Sequence, residues 1–243
     1  MDCAFTLKHY WEILEGALRA GYTFQGFHQP LARANRILYL RHDLDICLEE
    51  ALDMAELEAK LGVRATYFVL INSPLYNPLS RDSLNLIHHI QAKGHWIGLH
   101  IDLGLLSSLD TSQVEGDVLQ LIRFYSTRIP LVPVISFHRP SATVLGRDFN
   151  SFTSTYSRYF FRETKYISDS RGMWREGCPC QILSHSLYPA VQMLVHPIWW
   201  GTSETELLSH RLRRLLGNRV DCFKQYLAEN IEGPIGKLLQ NGE

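Results

Sequence analysis

The chain has 243 residues, a formal net charge of −1 and 46% apolar residues, a composition typical of a globular protein with a large buried core. The near balance of 24 basic and 25 acidic residues argues against nucleic-acid binding through a positively charged surface. The sequence contains no run of about 18 uncharged apolar residues, which excludes a membrane-spanning helix.

Strand-length apolar runs alternate with helical stretches along the chain, a pattern typical of a mostly parallel sheet built from βα units. An amphipathic helix is predicted over residues 5–21 and a closing helix over 203–227. Between them we predict strands at 37–43, 65–71, 96–102, 134–139, 166–170 and 191–196, and helices at 46–62, 81–93 and 111–127. Because no repeat or linker interrupts the pattern, we predict an α/β fold with one domain over 1–243, the two terminal helices packed on it.

The cysteines and the first residues indicate the compartment. Five cysteines at irregular spacing do not form a disulfide framework, and we expect small buried or surface thiols. Cys178 and Cys180 lie two residues apart, but no second pair completes a zinc-knuckle spacing. The opening segment carries charges where a signal peptide has an apolar run, so we expect a cytoplasmic protein with reduced thiols.

Polar residues with metal-binding or acid–base chemistry collect where the predicted strands end. The carboxyl ends of parallel strands meet at one edge of a sheet or barrel, which is where active sites are built. The residues concerned are His42, Asp43, Asp45, His100, Asp102, His138, Arg139, Asp169 and His196.

Asp43 and Asp45 are one residue apart and point to the same side of an extended backbone. Two carboxylates this close repel each other in a poorly solvated site unless a cation binds one, or Arg41 or Arg139 neutralises the other. Imidazole and carboxylate ligands around a divalent ion are typical of catalytic zinc sites, which keep one position open for water. The strand ends therefore predict a catalytic metal site.

Four motifs follow one another in a fixed order: RHDLD at 41–45, GHWIGLH at 94–100, FHRP at 137–140 and HPIWW at 196–200. In this order they resemble a divergent branch of the polysaccharide deacetylase (NodB-homology) superfamily, whose motifs read RHDxD, GHEIGLH, FHRP and HPxWW. The resemblance implies a distorted, incomplete (β/α) barrel. It also implies a metal-dependent carbohydrate N-deacetylase, a hydrolase that acts on C–N amide bonds.

The resemblance assigns a role to each strand-end residue. Asp43 matches the general base and Asp45 the metal carboxylate, while His100 matches the first metal histidine. Arg139 matches the arginine that orients the base, and Asp169 matches the carboxylate that supports the acid, His196.

One position departs from the family pattern. Family members place a second metal histidine four residues after the first, where this chain has Gly104. His138 and Asp102 are the candidates for the third ligand, and we favour His138 because it supplies a neutral nitrogen from an adjacent strand end. Since Leu44 separates the two aspartates, which are adjacent in typical members, the division of roles between them stays open.

Other interpretations compete with these roles. Asp43 and Asp45 are alternatively N-caps of the helix that begins near Ile46. Trp199 and Trp200 form either a sugar-stacking wall or part of the core. We expect His42 and His95 to be supporting or core groups, and His88 and His89 to lie on a helix surface.

The resemblance implies removal of an N-acyl group, in particular N-acetyl, from an amino sugar, a nucleotide sugar or a surface-polysaccharide precursor. The cofactor is a divalent metal, with zinc favoured by the ligand types. The expected partner is the carbohydrate or nucleotide-sugar substrate, and the sequence gives no sign of an oligomeric state. Two alternatives are a catalytically inactive sugar-binding relative and a deformylase or amidase acting on a non-sugar substrate.

Overall fold

The computed structural model describes residues 3–31, 36–185, 187–202 and 206–231. Contacts along the chain group it into two units, residues 1–200 and residues 201–243. The first unit contains strands β1 (Thr23–Phe24), β2 (Ile37–Leu44), β3 (Thr66–Leu70), β4 (Trp96–Asp102), β5 (Leu131–His138), β6 (Thr153–Ser154), β7 (Lys165–Ser168) and β8 (Ala190–Val195). Its helices are α1 (Leu7–Arg19), α2 (Glu49–Lys60), α3 (Arg81–Ala92), α4 (Thr111–Tyr125) and α5 (Pro179–Ser184).

All strand pairs are parallel, and the strands follow the order β6-β5-β4-β3-β2-β8-β7, with β1 added beside β2. The order begins at β6 and ends at β7, so the sheet is open. The predicted α/β fold with an incomplete barrel is therefore confirmed. The six predicted strands are present, whereas β1, β6 and the six-residue α5 are too short to leave a periodic pattern in the sequence.

Strand β2 lies inside the sheet between β3 and β8, and all eight of its residues are buried. Branched and aromatic residues favour the strand. Arg41 and Asp43 point to one side of it and His42 to the other, because side chains alternate along a strand. Helix α2 begins at Glu49, and the cap residue Leu48 makes no side-chain cap hydrogen bond, so the alternative of Asp43 and Asp45 as N-caps is wrong.

Gly98 has no side chain, which allows β4 to pass close to β3 and β5. A Cβ there would lie 2.6 Å from the Phe68 ring and 2.8 Å from the Val134 carbonyl oxygen. The β4–β5 register shifts between Ile97 and Leu99, at this same point. The close passage sets the approach of the two strands that carry His100 and His138.

The second unit contains helix α6 (Leu208–Asn230), where the sequence predicted a helix over 203–227. Residues 203–205, at the start of the predicted helix, and residues 232–243 lie outside the described residues. Glu206 accepts a hydrogen bond from Arg214 within this unit. None of the described helices combines the length and apolarity that crossing a membrane requires. The single-domain organisation stays a prediction.

Candidate active site

Six of the nine strand-end residues line one cavity of about 840 Å³, namely Asp43, Asp45, His100, His138, Arg139 and His196. They come from the ends of four strands, β2, β4, β5 and β8, and Ser168 at the end of β7 also lines the cavity. The cavity wall includes Asp43, Asp45, His100, His138, Arg139, Tyr156, Tyr166, Arg171, Arg175, His196 and Trp199. The structure thus brings together residues that are as far apart in the sequence as Asp43 and His196.

Asp43 is buried and held by Arg41 from its own strand. Arg41 Nε donates to Asp43 Oδ1 at 2.8 Å, and a terminal nitrogen of the same guanidinium donates to Oδ2 at 2.7 Å. Burial raises the pKa of Asp43, but the charge and hydrogen bonds of Arg41 outweigh it and bring the pKa below its ordinary value. Asp43 is therefore ionised at neutral pH.

The guanidinium of Arg41 is itself fixed from several sides. It donates to Thr155 Oγ1 at 2.9 Å and to Tyr156 Oη at 3.1 Å, and the Tyr156 ring centre lies 4.9 Å from its central carbon. Asp43 is thus oriented by Arg41, whereas Arg139 is exposed after β5 with a positive φ of 48°. The orienting role that the resemblance placed on Arg139 stays a prediction, and no described contact to Asp43 supports it.

Asp45, His100 and His138 form a compact group of three donors. One ligand atom from each lies within 4.8 Å of the others. Asp45 Oδ1 is 3.1 Å from His100 Nε2 and 3.6 Å from His138 Nδ1, and the two ring nitrogens are 3.2 Å apart. Burial raises the pKa of Asp45, but the two imidazoles outweigh it and lower that pKa well below its ordinary value.

The donors fit a divalent metal in both chemistry and orientation. His100 Nδ1 donates to the Ser136 carbonyl oxygen at 2.9 Å, which fixes the tautomer and leaves Nε2 with a free lone pair facing Asp45. Asp45 Oδ1 is buried and receives no hydrogen bond of acceptable geometry within the described chain. A carboxylate oxygen with two imidazole nitrogens is a ligand set of catalytic zinc sites, and it leaves coordination positions open.

Asp102, the alternative ligand, is engaged elsewhere. Its Oδ1 accepts the Gly104 backbone N–H at 2.8 Å and caps a short 3₁₀ turn at 103–105. It is not part of the three-donor group. Of the two candidates, the geometry favours His138.

His196 and Asp169 form a pair on the opposite wall. Asp169 is fully buried, and its Oδ1 accepts from His196 Nδ1 at 2.6 Å. Burial lowers the pKa of His196, but the hydrogen bond and charge of Asp169 outweigh it and raise the pKa to about 9. His196 Nε2 then faces the metal-binding group, 3.8 Å from Asp45 Oδ2. The imidazole is protonated at neutral pH and can donate a proton into the cavity.

The two tryptophans differ in position. Trp199 lines the cavity. Trp200 is 2% exposed and donates from Nε1 to Asp169 Oδ2 at 2.9 Å, so it belongs to the core. The expectation that Trp200 contributes to a sugar-stacking wall is therefore corrected: its ring supports the carboxylate that orients His196.

Sequence reasoning missed several residues of the cavity. Tyr156 and Tyr166 come from segments without a motif, as does the exposed Arg175 on the loop after β7. Arg41 was part of a motif, but only its contacts separate its role from that of Arg139. His88 and His89 lie on the exposed face of α3, as expected.

No family model and no curated protein matches the chain. Several solved structures do match the chain. A mutant of a CE4 family pseudoenzyme from Bacillus anthracis, with restored enzymatic activity, is 16% identical over 78% of this chain and 68% of that chain, with a TM-score of 0.44.

Two further matches carry the name of an enzyme. A chitin deacetylase from Colletotrichum lindemuthianum is 15% identical over 80% of this chain and 88% of that chain, with a TM-score of 0.42. A family 4 carbohydrate esterase from Bacillus anthracis is 13% identical over 85% of this chain and 84% of that chain, with a TM-score of 0.39. By name, the matched structures are a CE4 family pseudoenzyme mutant, a family 4 carbohydrate esterase and a chitin deacetylase, at 13–16% identity.

Proposed function

We propose that this chain is a metal-dependent hydrolase that removes an N-acyl group, in particular N-acetyl, from an amino sugar carried on a phosphate. The observation that carries the proposal is the three-donor group of Asp45, His100 and His138, placed between an ionised Asp43 and a protonated His196. Amide hydrolysis needs a base for water and an acid for the departing amine, and the cavity supplies both.

Asp45, His100 and His138 would hold the metal. When bound there, a divalent ion such as zinc lowers the pKa of coordinated water and polarises the amide carbonyl. Because Ser136 and the β4 backbone fix the His100 ring, the donor set is preorganised around one point of the cavity.

Asp43 is the residue that accepts the proton of the attacking water. Its Oδ2 lies 3.4 Å from His100 Nε2, beside the donor group, so a water held there is within reach of the carboxylate. Arg41 keeps Asp43 ionised and fixes both of its oxygens. Because Asp43 is already ionised and held in place, it can accept a proton at neutral pH without a change of conformation.

His196 is the residue that protonates the departing amine. Its Nδ1 is committed to Asp169, which leaves the Nε2–H as the donor aimed at the cavity. The pKa of about 9 keeps this proton in place at neutral pH until nitrogen becomes basic in the tetrahedral species.

The mouth of the cavity favours an anionic carrier for the sugar. Arg139, Arg171 and Arg175 are exposed side chains on its wall, and Glu176 is the acidic residue beside them. Guanidinium groups bind phosphate oxygens through paired hydrogen bonds. We therefore place nucleotide sugars and lipid-diphosphate sugars, made inside the cell, ahead of uncharged polymers as substrates, in keeping with the expected cytoplasmic location.

The test is a panel of N-acetylated and N-formylated substrates incubated with zinc-loaded protein and scored for released acid. It contains nucleotide-linked amino sugars, uncharged chito-oligosaccharides and non-sugar amides. Acetate released from the phosphate-linked sugars, and abolished in the Asp43→Asn variant, supports the proposal. Turnover of non-sugar amides alone supports the amidase alternative, and sugar binding without any turnover identifies an inactive relative; either result overturns the proposal.

A further inference from the structure

A second cluster of metal-binding side chains lies away from the cavity, where α1 meets the loop before α5. His9 Nε2 is 3.2 Å from Cys3 Sγ and 3.2 Å from Cys178 Sγ. The three ligand atoms lie within 4.8 Å of one another. Cys180 Sγ is a further 2.8 Å from Cys178 Sγ. Three of the five cysteines, expected to be unrelated thiols, thus gather around one histidine.

The histidine at the centre is oriented as metal-bound histidines are. His9 Nδ1 lies 3.1 Å from Glu12 Oε2, one turn further along α1. When a carboxylate contacts one ring nitrogen of a histidine, the other nitrogen is free to bind a cation. Carboxylate contacts of this kind recur on the histidine ligands of protein zinc sites. The start of α1 is fixed as well, because Thr6 Oγ1 accepts the His9 backbone N–H at 3.1 Å.

We propose that Cys3, His9, Cys178 and Cys180 form a structural zinc site. Three thiolates and one imidazole in a tetrahedral arrangement are a standard ligand set of closed structural zinc sites. Zinc binds thiolates, so each cysteine releases its proton to solvent as the ion enters. Cys3, His9 and Cys178 already face one another, and we assign Cys180 as the fourth ligand because its Sγ lies beside that of Cys178.

This site differs in kind from the one in the cavity. Soft thiolate ligands select zinc and hold it without an open position, whereas the aspartate and histidines of the cavity leave room for water. The chain between His9 and Cys178, which are 169 positions apart, would be closed into a loop by the ion. Closing a chain segment of this length removes conformational freedom from the unfolded state, so the ion stabilises the fold.

The site also lies beside the wall that supports the catalytic acid. Phe5, two residues after Cys3, stacks on Trp174 with ring centres 6.3 Å apart and contacts Trp200 at 5.1 Å. Trp200 in turn donates to Asp169. Arg171 and Arg175 of the cavity lie on the loop that leads to Cys178. A bound ion would hold this loop and the beginning of α1 together.

The test uses the full chain, purified under reducing conditions without chelators and then exchanged into cobalt. Cobalt bound to cysteine gives an intense thiolate-to-metal charge-transfer band in the near ultraviolet, which a site of carboxylate and imidazole ligands does not give. We expect this band in the wild type and, undiminished, in His100→Ala/His138→Ala, which removes two ligands of the cavity site. We expect it to disappear in Cys3→Ser/Cys178→Ser.

The matched control is Cys222→Ser, an exposed cysteine outside the cluster, which should leave the band unchanged. Glu12→Gln keeps all four ligands, and we expect it to weaken zinc affinity about 10- to 100-fold in competition with a chromogenic chelator.

A folded wild type that shows no thiolate band and whose thiols react freely overturns the proposal, as does a disulfide between these cysteines in the reduced preparation. Because the band is read without substrate, the result is independent of whether the cavity hydrolyses any amide.

Discussion

Two clusters of acids and histidines flank the same strand, and only one of them opens onto a cavity. On one side of β2, Asp43 faces the rim group of Asp45, His100 and His138. On the other side, His42 faces Glu58 of α2, which is fully buried. Alternation along the strand places neighbouring residues of one motif, His42 and Asp43, in these two different environments.

The buried cluster around Glu58 is closed. Glu58 accepts hydrogen bonds from Tyr10 Oη at 2.5 Å and from Tyr67 Oη at 2.7 Å, and His42 Nε2 lies 2.6 Å from Oε1. The His42 ring stacks on Tyr67 with centres 4.1 Å apart. His95, also buried, lies 2.9 Å from the Ala55 carbonyl oxygen. Both carboxylate oxygens of Glu58 are engaged, so this cluster holds α1 and α2 against the sheet.

The rim group differs in one respect that bears on function. Asp45 Oδ1 lacks a hydrogen-bond donor of acceptable geometry within the described chain, and it borders a cavity. A buried acceptor without a donor costs free energy unless a cation binds it. Residue types are alike in the two clusters, but the side chains of His42 and Glu58 are fully buried, whereas those of Asp45 and His138 are 22% and 16% exposed. The unpaired carboxylate oxygen together with access from solvent marks the rim group as the candidate metal site.

The largest effect is expected from Asp43→Asn at the rim. The amide cannot accept the proton of water, so kcat should fall by about 10²- to 10⁴-fold, the usual contribution of a general base. Metal content, measured by elemental analysis, should stay at the wild-type level because Asp45, His100 and His138 are intact. Since Arg41 loses a charged partner, thermal unfolding is measured in parallel to separate lost stability from lost chemistry. A folded, fully active variant would contradict the assignment of Asp43.

Substitution of the third ligand tests which residue replaces the histidine missing at Gly104. His138→Ala should lose the metal of the cavity, because a carboxylate and a single imidazole remain. Asp102→Ala is the matched control at the neighbouring strand end, and we expect it to keep that metal, since its carboxylate caps a backbone turn. Metal loss in the Asp102 variant alone would reverse the choice of ligand.

The substitution Glu58→Gln tests the contribution of the buried cluster around Glu58 to stability. We expect a loss of about 2–4 kcal/mol in the free energy of unfolding, because a buried charge with three hydrogen-bonding neighbours is replaced by an amide that cannot satisfy them all. The kcat of the folded fraction should change little. Strongly reduced kcat with unchanged stability would mean that the two clusters are not separate in function.

The same residue predicts a pH dependence of stability. Burial raises the pKa of Glu58, but the charge and hydrogen bond of His42 outweigh it and bring the pKa below its ordinary value of 4.5. A lowered pKa in the folded state means that the stabilisation is present above pH 4.5 and is lost as the pH falls through the folded-state pKa. Denaturant titrations at decreasing pH should therefore show a difference between wild type and Glu58→Gln that shrinks under acidic conditions.

The smallest effect is expected at the mouth of the cavity. Arg175→Gln should raise KM for a phosphate-linked sugar by about tenfold, equivalent to about 1.4 kcal/mol of lost binding. It should leave turnover of an uncharged chito-oligosaccharide unchanged, since that substrate has no phosphate to bind. Equal effects on both substrates would remove the argument for an anionic carrier.

The sequence by itself determined the strands, most of the helices and the edge of the sheet that carries the chemistry. Hydrophobic periodicity is a local property, and the residue that follows a buried strand reaches the rim wherever the strands are parallel. The ends of β2, β4, β5 and β8, which carry the four motifs, and the end of β7 were therefore predicted within a few residues of the observed bounds.

The tertiary structure decided which side chains touch. Arg41 and Arg139 each belong to a motif, and Trp199 and Trp200 are adjacent in one motif. Only burial and side-chain direction separate the members of each pair. Cys3 and His9 lie close to Cys178 although most of the chain separates them in sequence, and no rule of residue spacing predicts such a contact. Hydrogen bonds and metal ligands require positions within fractions of an ångström, and such positions are set by how the strands and helices pack rather than by the order of the residues.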